Sequence, residues 1–429
     1  MTCRIAELID SGINPASIMA VSFTKKAANE LKNRVVEVIG RDATGLRCST
    51  LHSACLSILR ELNPIKSFKI IDDRESTNIL TNIAVRHEVA IPGSDILIDI
   101  SKLKAWMISP EEAINRSRSN FERTLGQIYY EYEYYLKKNG LMDFDNIIME
   151  LIKACKHPEC QERVGKMFSH ILVDEYQDIN CMQGRAISLF LREHDNIAVV
   201  GDDAQAIYSF RGANLREILD FENRYHGTKK IIMDLNYRST STIVNASSAV
   251  IDRNLIGFRK DLKSASGKKG EPIYIVKRYS PEDEARFIAS IINYLEGETA
   301  ILVRVGWLIQ PIEEALKERG ISYEVLKDKS RLLESDSGKH SEKVTISTIH
   351  ASKGLEFDNV IIAGVEEGII PHYLSLDGYG NIEEERRLFY VALTRAKKQV
   401  VVTYCCNRKR WSTPSRFIAE IPKKYKEEL

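Results

Sequence analysis

The sequence predicts an α/β protein made of two parallel-sheet cores, the first carrying a helical insertion. Three observations predict it. Short β-branched runs alternate with amphipathic stretches, as strands and crossover helices do in parallel sheets. The stretch between about Asp72 and Lys138 breaks that alternation with helical periodicity and many charges. After a polar, Gly- and Lys-containing stretch, Lys263 to Glu271, a second block begins with strands of its own.

In order, Ser17 to Phe23 is a strand before a helix from Lys25, Ile171 to Val173 a strand before a helix from Asn180, and Ile197 to Val200 a strand before a helix near Asn214. The second block places strands at Ile273 to Val276, Thr299 to Val303 and Val344 to Ile346. These elements predict a first core over 1–70 and 139–235, an insertion over 71–138, and a second core over 236–429. Lys263 to Glu271 is expected to be a linker, with the chain crossing to the second core somewhat earlier, and Lys327 to Lys343 a loop. Tyr129, Tyr130, Tyr132, Tyr134 and Tyr135 close the insertion and are read as an interior packing stripe.

A chain of 429 residues at 44% hydrophobic and 28% charged has the composition of a folded globular protein and excludes a disordered one. With a net charge of +1, a nucleic-acid surface must come from local arrangement rather than overall basicity. Arg386 to Arg410 holds eight Lys/Arg and no Asp/Glu, which is either such a surface or a solvated basic face. Eight scattered cysteines, with Cys155 and Cys160 lacking a second pair for zinc, suit a reduced protein. No apolar run reaches membrane-span length, and Met1 to Asp10 carries Arg4, Glu7 and Asp10 where a signal peptide would be apolar. A cytoplasmic protein with no membrane partner is expected.

The chemistry concentrates at strand ends. Residues 171 to 178, Ile-Leu-Val-Asp-Glu-Tyr-Gln-Asp, deliver two adjacent carboxylates from an apolar strand. One acid can hold magnesium while its neighbour polarises the attacking water, although two acids in a strand-to-helix turn also suit a helix cap. The next strand ends in Gly201-Asp202-Asp203-Ala204-Gln205-Ala206-Ile207-Tyr208-Ser209-Phe210-Arg211-Gly212-Ala213, where Gln205 suits a terminal phosphate and the rings of Tyr208 and Phe210 suit nucleobases. Asn236-Tyr237-Arg238-Ser239 and Thr394-Arg395-Ala396 each set an arginine beside a small polar residue, and Val344 to Phe357 is a strand leading to a Thr/His/Lys/Gly-rich turn suited to phosphate contacts.

Together with Ala20 to Ala28, Ser49-Thr50-Leu51-His52-Ser53, Met142-Asp143-Phe144-Asp145 and Glu384 to Ala396, these segments resemble, in order and over nearly the whole chain, a UvrD/Rep-type superfamily 1 DNA helicase. The resemblance implies two RecA-like cores of the P-loop NTPase class, with ATP and Mg2+ as cofactors. It implies that Asp174 binds the metal and Glu175 is the catalytic base. Gln205, Arg238 and Arg395 would touch the terminal phosphate, Tyr237 would stack on adenine and Glu356 would reach the ribose. Phe23, Thr24, His52, Tyr208, Phe210, Arg211, Thr348 and His350 would line the DNA track. Single-stranded DNA and duplex junctions are the implied partners, with repair or replication proteins beside them. ATP closing the space between the cores would advance the strand in the 3′ to 5′ direction.

Two departures stand out. The Gly-rich loop ending in Gly-Lys-Ser/Thr is absent: Gly267-Lys268 and Gly338-Lys339 are followed by Lys269 and His340. By the match at Arg4 to Gly12, Met1 lies about one or two turns inside the helix that follows that loop, so the chain is expected to be an N-terminally shortened copy with impaired hydrolysis and an exposed sheet edge. Secondly, Tyr323 to Val344 is short where larger members insert a regulatory domain. The alternative is an ATPase-inactive pseudo-helicase that binds single-stranded DNA and regulates a partner.

Overall fold

A computed structural model describes residues 1–40, 43–62, 68–191, 194–326, 343–376, 381–408 and 411–429. The chain forms two compact units, Met1–Thr228 and Lys229–Leu429. Among the described residues no helix is long and apolar enough to cross a membrane.

The first unit holds strands β1 (Ile18–Val21), β2 (Arg47–Ser49), β3 (Lys69–Ile70), β4 (Leu141–Met142), β5 (His170–Val173) and β6 (Ile197–Val199). Four of them form a parallel sheet in the order β2-β1-β5-β6, in register at Met19 with Arg47, Ile18 with His170 and Ile171 with Ile197. All four residues of β1 are buried, as in strands covered on both faces. Helix α1 (Thr2–Asp10) packs Ile5, Leu8 and Ile9 against Ile18 and Ala20 of β1 and Leu172 of β5. Helix α2 (Lys25–Ile39) begins where the Thr24 hydroxyl accepts from the Ala27 N–H at 3.1 Å, and ends at Gly40 with φ 62. Helix α3 is Leu51–Leu62.

The insertion is helical. It contains α4 (Asp73–Arg86), α5 (Gly93–Ala105), α6 (Pro110–Asn115) and α7 (Asn120–Lys138), followed by α8 (Phe144–Ala154) at the return to the sheet. It has its own core, in which Leu80, Ile83, Ile96 and Ile100 meet Tyr129, Tyr132 and Leu136. The tyrosines correct the expected stripe. Tyr129 and Tyr132 are buried, one helical turn apart and in line with Leu136, whereas Tyr130, Tyr134 and Tyr135 lie on the outward face and are exposed.

The second unit adds β7 (Leu235–Asn236), β8 (Lys263–Ser264), β9 (Ile273–Arg278), β10 (Thr299–Val303), β11 (Glu324–Leu326), β12 (Val344–Thr348), β13 (Phe357–Ala363), β14 (Ala396–Cys405) and β15 (Lys426–Glu428). Seven form a parallel sheet in the order β11-β12-β10-β13-β14-β9-β15. The stretch Lys263 to Glu271 is not a linker between the cores. Its first two residues are β8, which pairs with β7, and the Lys268 and Lys269 carbonyls accept from the Ser241 and Thr242 N–H groups. The units divide earlier, at Thr228 and Lys229. The loop expected over Lys327 to Lys343 lies, apart from its last residue, outside the described residues.

Candidate functional site

In the first unit the two carboxylates stand at the tip of β5. The Asp174 N–H donates to the Val21 carbonyl at 2.9 Å, which continues the ladder, and the chain then turns at Glu175 with φ 53, a left-handed conformation costing about 1–3 kcal/mol in a residue that is not glycine. Partial burial, with Glu175 beside it, raises the Asp174 pKa above the usual carboxylate value. A divalent cation relieves both causes. Magnesium is held by one or two carboxylates together with substrate phosphates, so these two acids fit it.

A relay of neutral amides runs from this tip to the next. The buried Gln177 side chain donates to Glu175 Oε2 at 2.5 Å and accepts the Asp202 N–H through its Oε1 at 2.9 Å. Asp202 in turn accepts from Gln205 Nε2 at 2.8 Å and caps the short turn by accepting the Ala204 N–H at 3.1 Å. Gly201 makes the relay geometrically possible: a Cβ there would stand 2.7 Å from Gln177 Oε1 and from Ile218 Cδ1. Gln177 and Asp202 lie inside the two motifs, yet their roles depend on that cross-strand approach, which the letters alone do not announce.

The same segment carries the rings. Tyr208 stacks on Phe23 with centroids 5.7 Å apart and planes 10° apart, Phe210 tilts against Tyr208 at 6.0 Å, and the Arg211 guanidinium lies 5.8 and 5.7 Å from the two ring centroids. Tyr208 is buried under its neighbours, while Phe23 is 43% and Phe210 38% exposed. The ladder therefore offers two outer rings and a cation. Thr24 is the cap of α2. His52 sits edge-on to Phe144 at 6.4 Å, and burial lowers its pKa to about 4, so it is neutral at pH 7 and can only hydrogen-bond a phosphate.

In the second unit Arg238, Glu356 and Arg395 converge. The Asn236 side chain accepts from the N–H groups of Arg238 and Ser239 at 2.9 and 2.8 Å, a local turn that turns Arg238 toward Glu356. Arg238 Nε donates to Glu356 Oε2 at 2.8 Å and its Nη1 to the Thr394 carbonyl at 3.2 Å. Lys397 pairs with the other Glu356 oxygen at 2.9 Å, and Lys397 foremost, with Arg238, lowers the Glu356 pKa. Arg395 is buried and donates to the Val391 and Leu355 carbonyls at 3.1 Å each. Tyr237 is 79% exposed. Thr348 ends β12, its hydroxyl accepting from the Ala351 N–H at 3.2 Å, and His350 lies in the turn that follows.

Within the basic run Arg386 to Arg410 the described cations are bonded to acids or carbonyls, with Lys398 still exposed. Arg386 pairs with Glu420 at 2.8 Å, Arg387 donates to the Ile256 carbonyl, Arg395 is bound as above, and Lys397 and Lys398 pair with Glu356 and Asp358. Arg408 Nη2 fills a pocket made by Glu284 at 2.5 Å, Glu366 at 2.9 Å and the Cys405 sulfur at 3.2 Å. Those three residues have the donors of a metal cluster, but a guanidinium occupies the position. Lys409 and Arg410 lie outside the described residues.

Comparison with known proteins agrees with this layout. Residues 1–226 match the model of the UvrD/REP helicase N-terminal domain, and residues 231–332 and 329–407 match that of the UvrD-like helicase C-terminal domain. The chain belongs to the UvrD/REP helicase family, and by family it is classed as an ATP-dependent DNA helicase. It is 25% identical to the ATP-dependent DNA helicase PcrA of Staphylococcus aureus, over 98% of this chain and 82% of that one. It is 26% identical to PcrA of Bacillus subtilis over the same shares. A shorter match at 33% identity to PcrA of Leuconostoc citreum spans 76% of this chain and 46% of the relative. The two pieces of the C-terminal match meet at 329–332, on the short path from Tyr323 to Val344.

Proposed function

We propose that the protein is an ATP-dependent single-stranded DNA translocase, a 3′ to 5′ DNA helicase serving repair or replication. One observation carries this: residues 202 to 211 hold at one end the relay to Glu175 and at the other the stacked ladder of Tyr208 and Phe210. A phosphate-sensing amide and a base-stacking ladder on one short segment are what coupling of hydrolysis to strand movement requires.

In this reading Asp174 holds magnesium, which supplies charge neutralisation on the phosphates when bound. Glu175 takes the proton of the attacking water, held in position by Gln177. Gln205, tethered to Asp202, hydrogen-bonds the terminal phosphate. Arg238 exchanges its hold on Glu356 for phosphate oxygen, Arg395 supports the same charge, Glu356 binds ribose and Tyr237 stacks on the adenine. Phe23, Phe210 and Arg211 contact the strand, with Thr24, His52, Thr348 and His350 along its backbone.

No Gly-Lys-Ser/Thr occurs in these 429 residues, so hydrolysis by this polypeptide is proposed to be weak. The test uses the chain extended upstream with its genomic reading frame on duplexes with a 3′ or a 5′ single-stranded tail. Unwinding of the 3′-tailed duplex alone, lost in E175Q, is the expected result. Preference for the 5′ tail contradicts the polarity, and E175Q activity equal to the parent contradicts the role of Glu175.

A further inference from the structure

The C-terminal end of α5 is held unusually firmly for a surface helix. Lys104, in its last turn, is fully buried and donates to Asp143 Oδ2 at 2.6 Å and Asn146 Oδ1 at 2.9 Å, with Glu133 Oε1 at 2.7 Å. Tyr132 adds a hydrogen bond to the same Asp143 oxygen at 3.1 Å, and its ring lies 5.3 Å from the ammonium. Truncating Lys104 leaves the buried Asp143 carboxylate without its cation, so the network fixes where the helix ends.

That end abuts the aromatic ladder. Gly212, directly after Arg211, has φ 86, and a Cβ on it would stand 2.6 Å from the Ala105 Cβ. The chain beyond Ala105 turns sharply. Trp106 caps the helix, donating to the Lys102 carbonyl at 3.1 Å, and Met107 adopts φ 58, left-handed for a residue with a side chain. The outcome is an indole 53% exposed and a thioether side chain 43% exposed, side by side and one residue from the contact with Gly212. Large exposed apolar groups next to the point where α5 meets the segment carrying Phe210 and Arg211 are a binding feature.

We propose that Trp106 is an additional base-stacking residue, extending the Phe23–Tyr208–Phe210 ladder onto the helical insertion, and that its ligand is single-stranded DNA. This rests on the reading of Tyr208, Phe210 and Arg211 as part of the strand's track. The indole face takes any base, so the contact lengthens the footprint without adding sequence preference. The Lys104 network serves to present it, and the close approach of Gly212 to Ala105 ties the insertion to the segment that also carries Gln205.

The test uses the full chain. In a W307F/W411F background Trp106 is the sole indole, since the sequence holds three tryptophans. Oligo-dT should quench its emission saturably. In fluorescence-anisotropy titrations W106A should bind oligo-dT roughly tenfold more weakly, with W106F restoring most of the loss. F210A, measured in parallel, separates the two levels. If F210A weakens binding while W106A does not and the indole is not quenched, the extension to Trp106 is wrong and the track stands. If F210A and W106A both bind like the parent, the track reading and its extension fall together. Should W106A fail to fold, the quench in the background protein and the W106F titration decide the matter.

Discussion

The acidic tip of the first unit and the basic cluster of the second are built on opposite plans. Around Glu175 the Gln177 amide links its carboxylate to the Asp202 N–H, the Gln205 amide holds the Asp202 carboxylate, and the same segment runs on to the exposed ring of Phe210. Around Arg395 and Arg408 the described cations are bonded to acids or carbonyls, and Arg386, Arg387 and Arg395 are buried while Lys398 stays at the surface. Charge counted along a sequence therefore overstates a nucleic-acid surface whenever the acids that neutralise it come from distant segments, as Glu284 and Glu366 do for Arg408.

The contrast is easiest to break at Arg408. R408A strands Glu284 and Glu366 in the interior and should cost the second unit about 3–5 kcal/mol in urea denaturation. K398A, at an ion pair on the surface, should cost less than about 1 kcal/mol. Equal effects would show that the pocket is better hydrated than its burial indicates.

In the first unit the relay is the vulnerable part. Q177L keeps the volume but leaves the Asp202 N–H and a Glu175 oxygen without their partner, for a loss of about 1–3 kcal/mol in the same assay. An unchanged midpoint would mean that water replaces the amide. F210A should leave stability within about 0.5 kcal/mol, since the ring is exposed, and weaken oligo-dT binding roughly tenfold. This dissociation of stability from binding is what the second unit's arginines should not display.

The smallest effect is in pH. Burial, helped by Asp143, raises Asp145 to about 6, above its unfolded value of 3.8, so the folded state binds the extra proton and stability falls as pH rises from about 4 to 6. His52 is lowered to about 4 from 6.5, so its contribution rises with pH between about 4 and 6.5. The two slopes oppose each other and the parent should be nearly flat across this window. D145N should expose the His52 slope, with melting temperature climbing from pH 4 to 6.5. A D145N profile as flat as the parent's would remove both assignments.

The strands were the most legible part of the fold. Thr299–Val303 is read without a residue's error because a β-branched, fully buried run has no other use, and α2 starts at Lys25 because Thr24 can cap it. The site tips were legible for the same reason, as acids and glycines ending such runs. Three things were not. Tyr129 and Tyr132 differ from Tyr130 and Tyr134 only by helical phase, which the spacing to Leu136 carries and a count of aromatics hides. Lys263–Ser264 pairs with Leu235–Asn236 across a helix, a contact no local composition announces. Gln177 and Lys397 work through partners fixed only when two strand tips, or a helix end and a turn, come together.

We propose that this chain carries the strand-binding and water-activating parts of a UvrD-type motor and, having no Gly-Lys-Ser/Thr in its 429 residues, hydrolyses ATP weakly. The most direct measurement is steady-state ATP hydrolysis with and without single-stranded DNA, on these 429 residues and on the version extended upstream. The predicted result is DNA binding by both and DNA-stimulated turnover by the extended protein alone. Turnover by the 429-residue chain equal to the extended protein's would contradict it, and binding by both with turnover by neither would make the protein a pseudo-helicase.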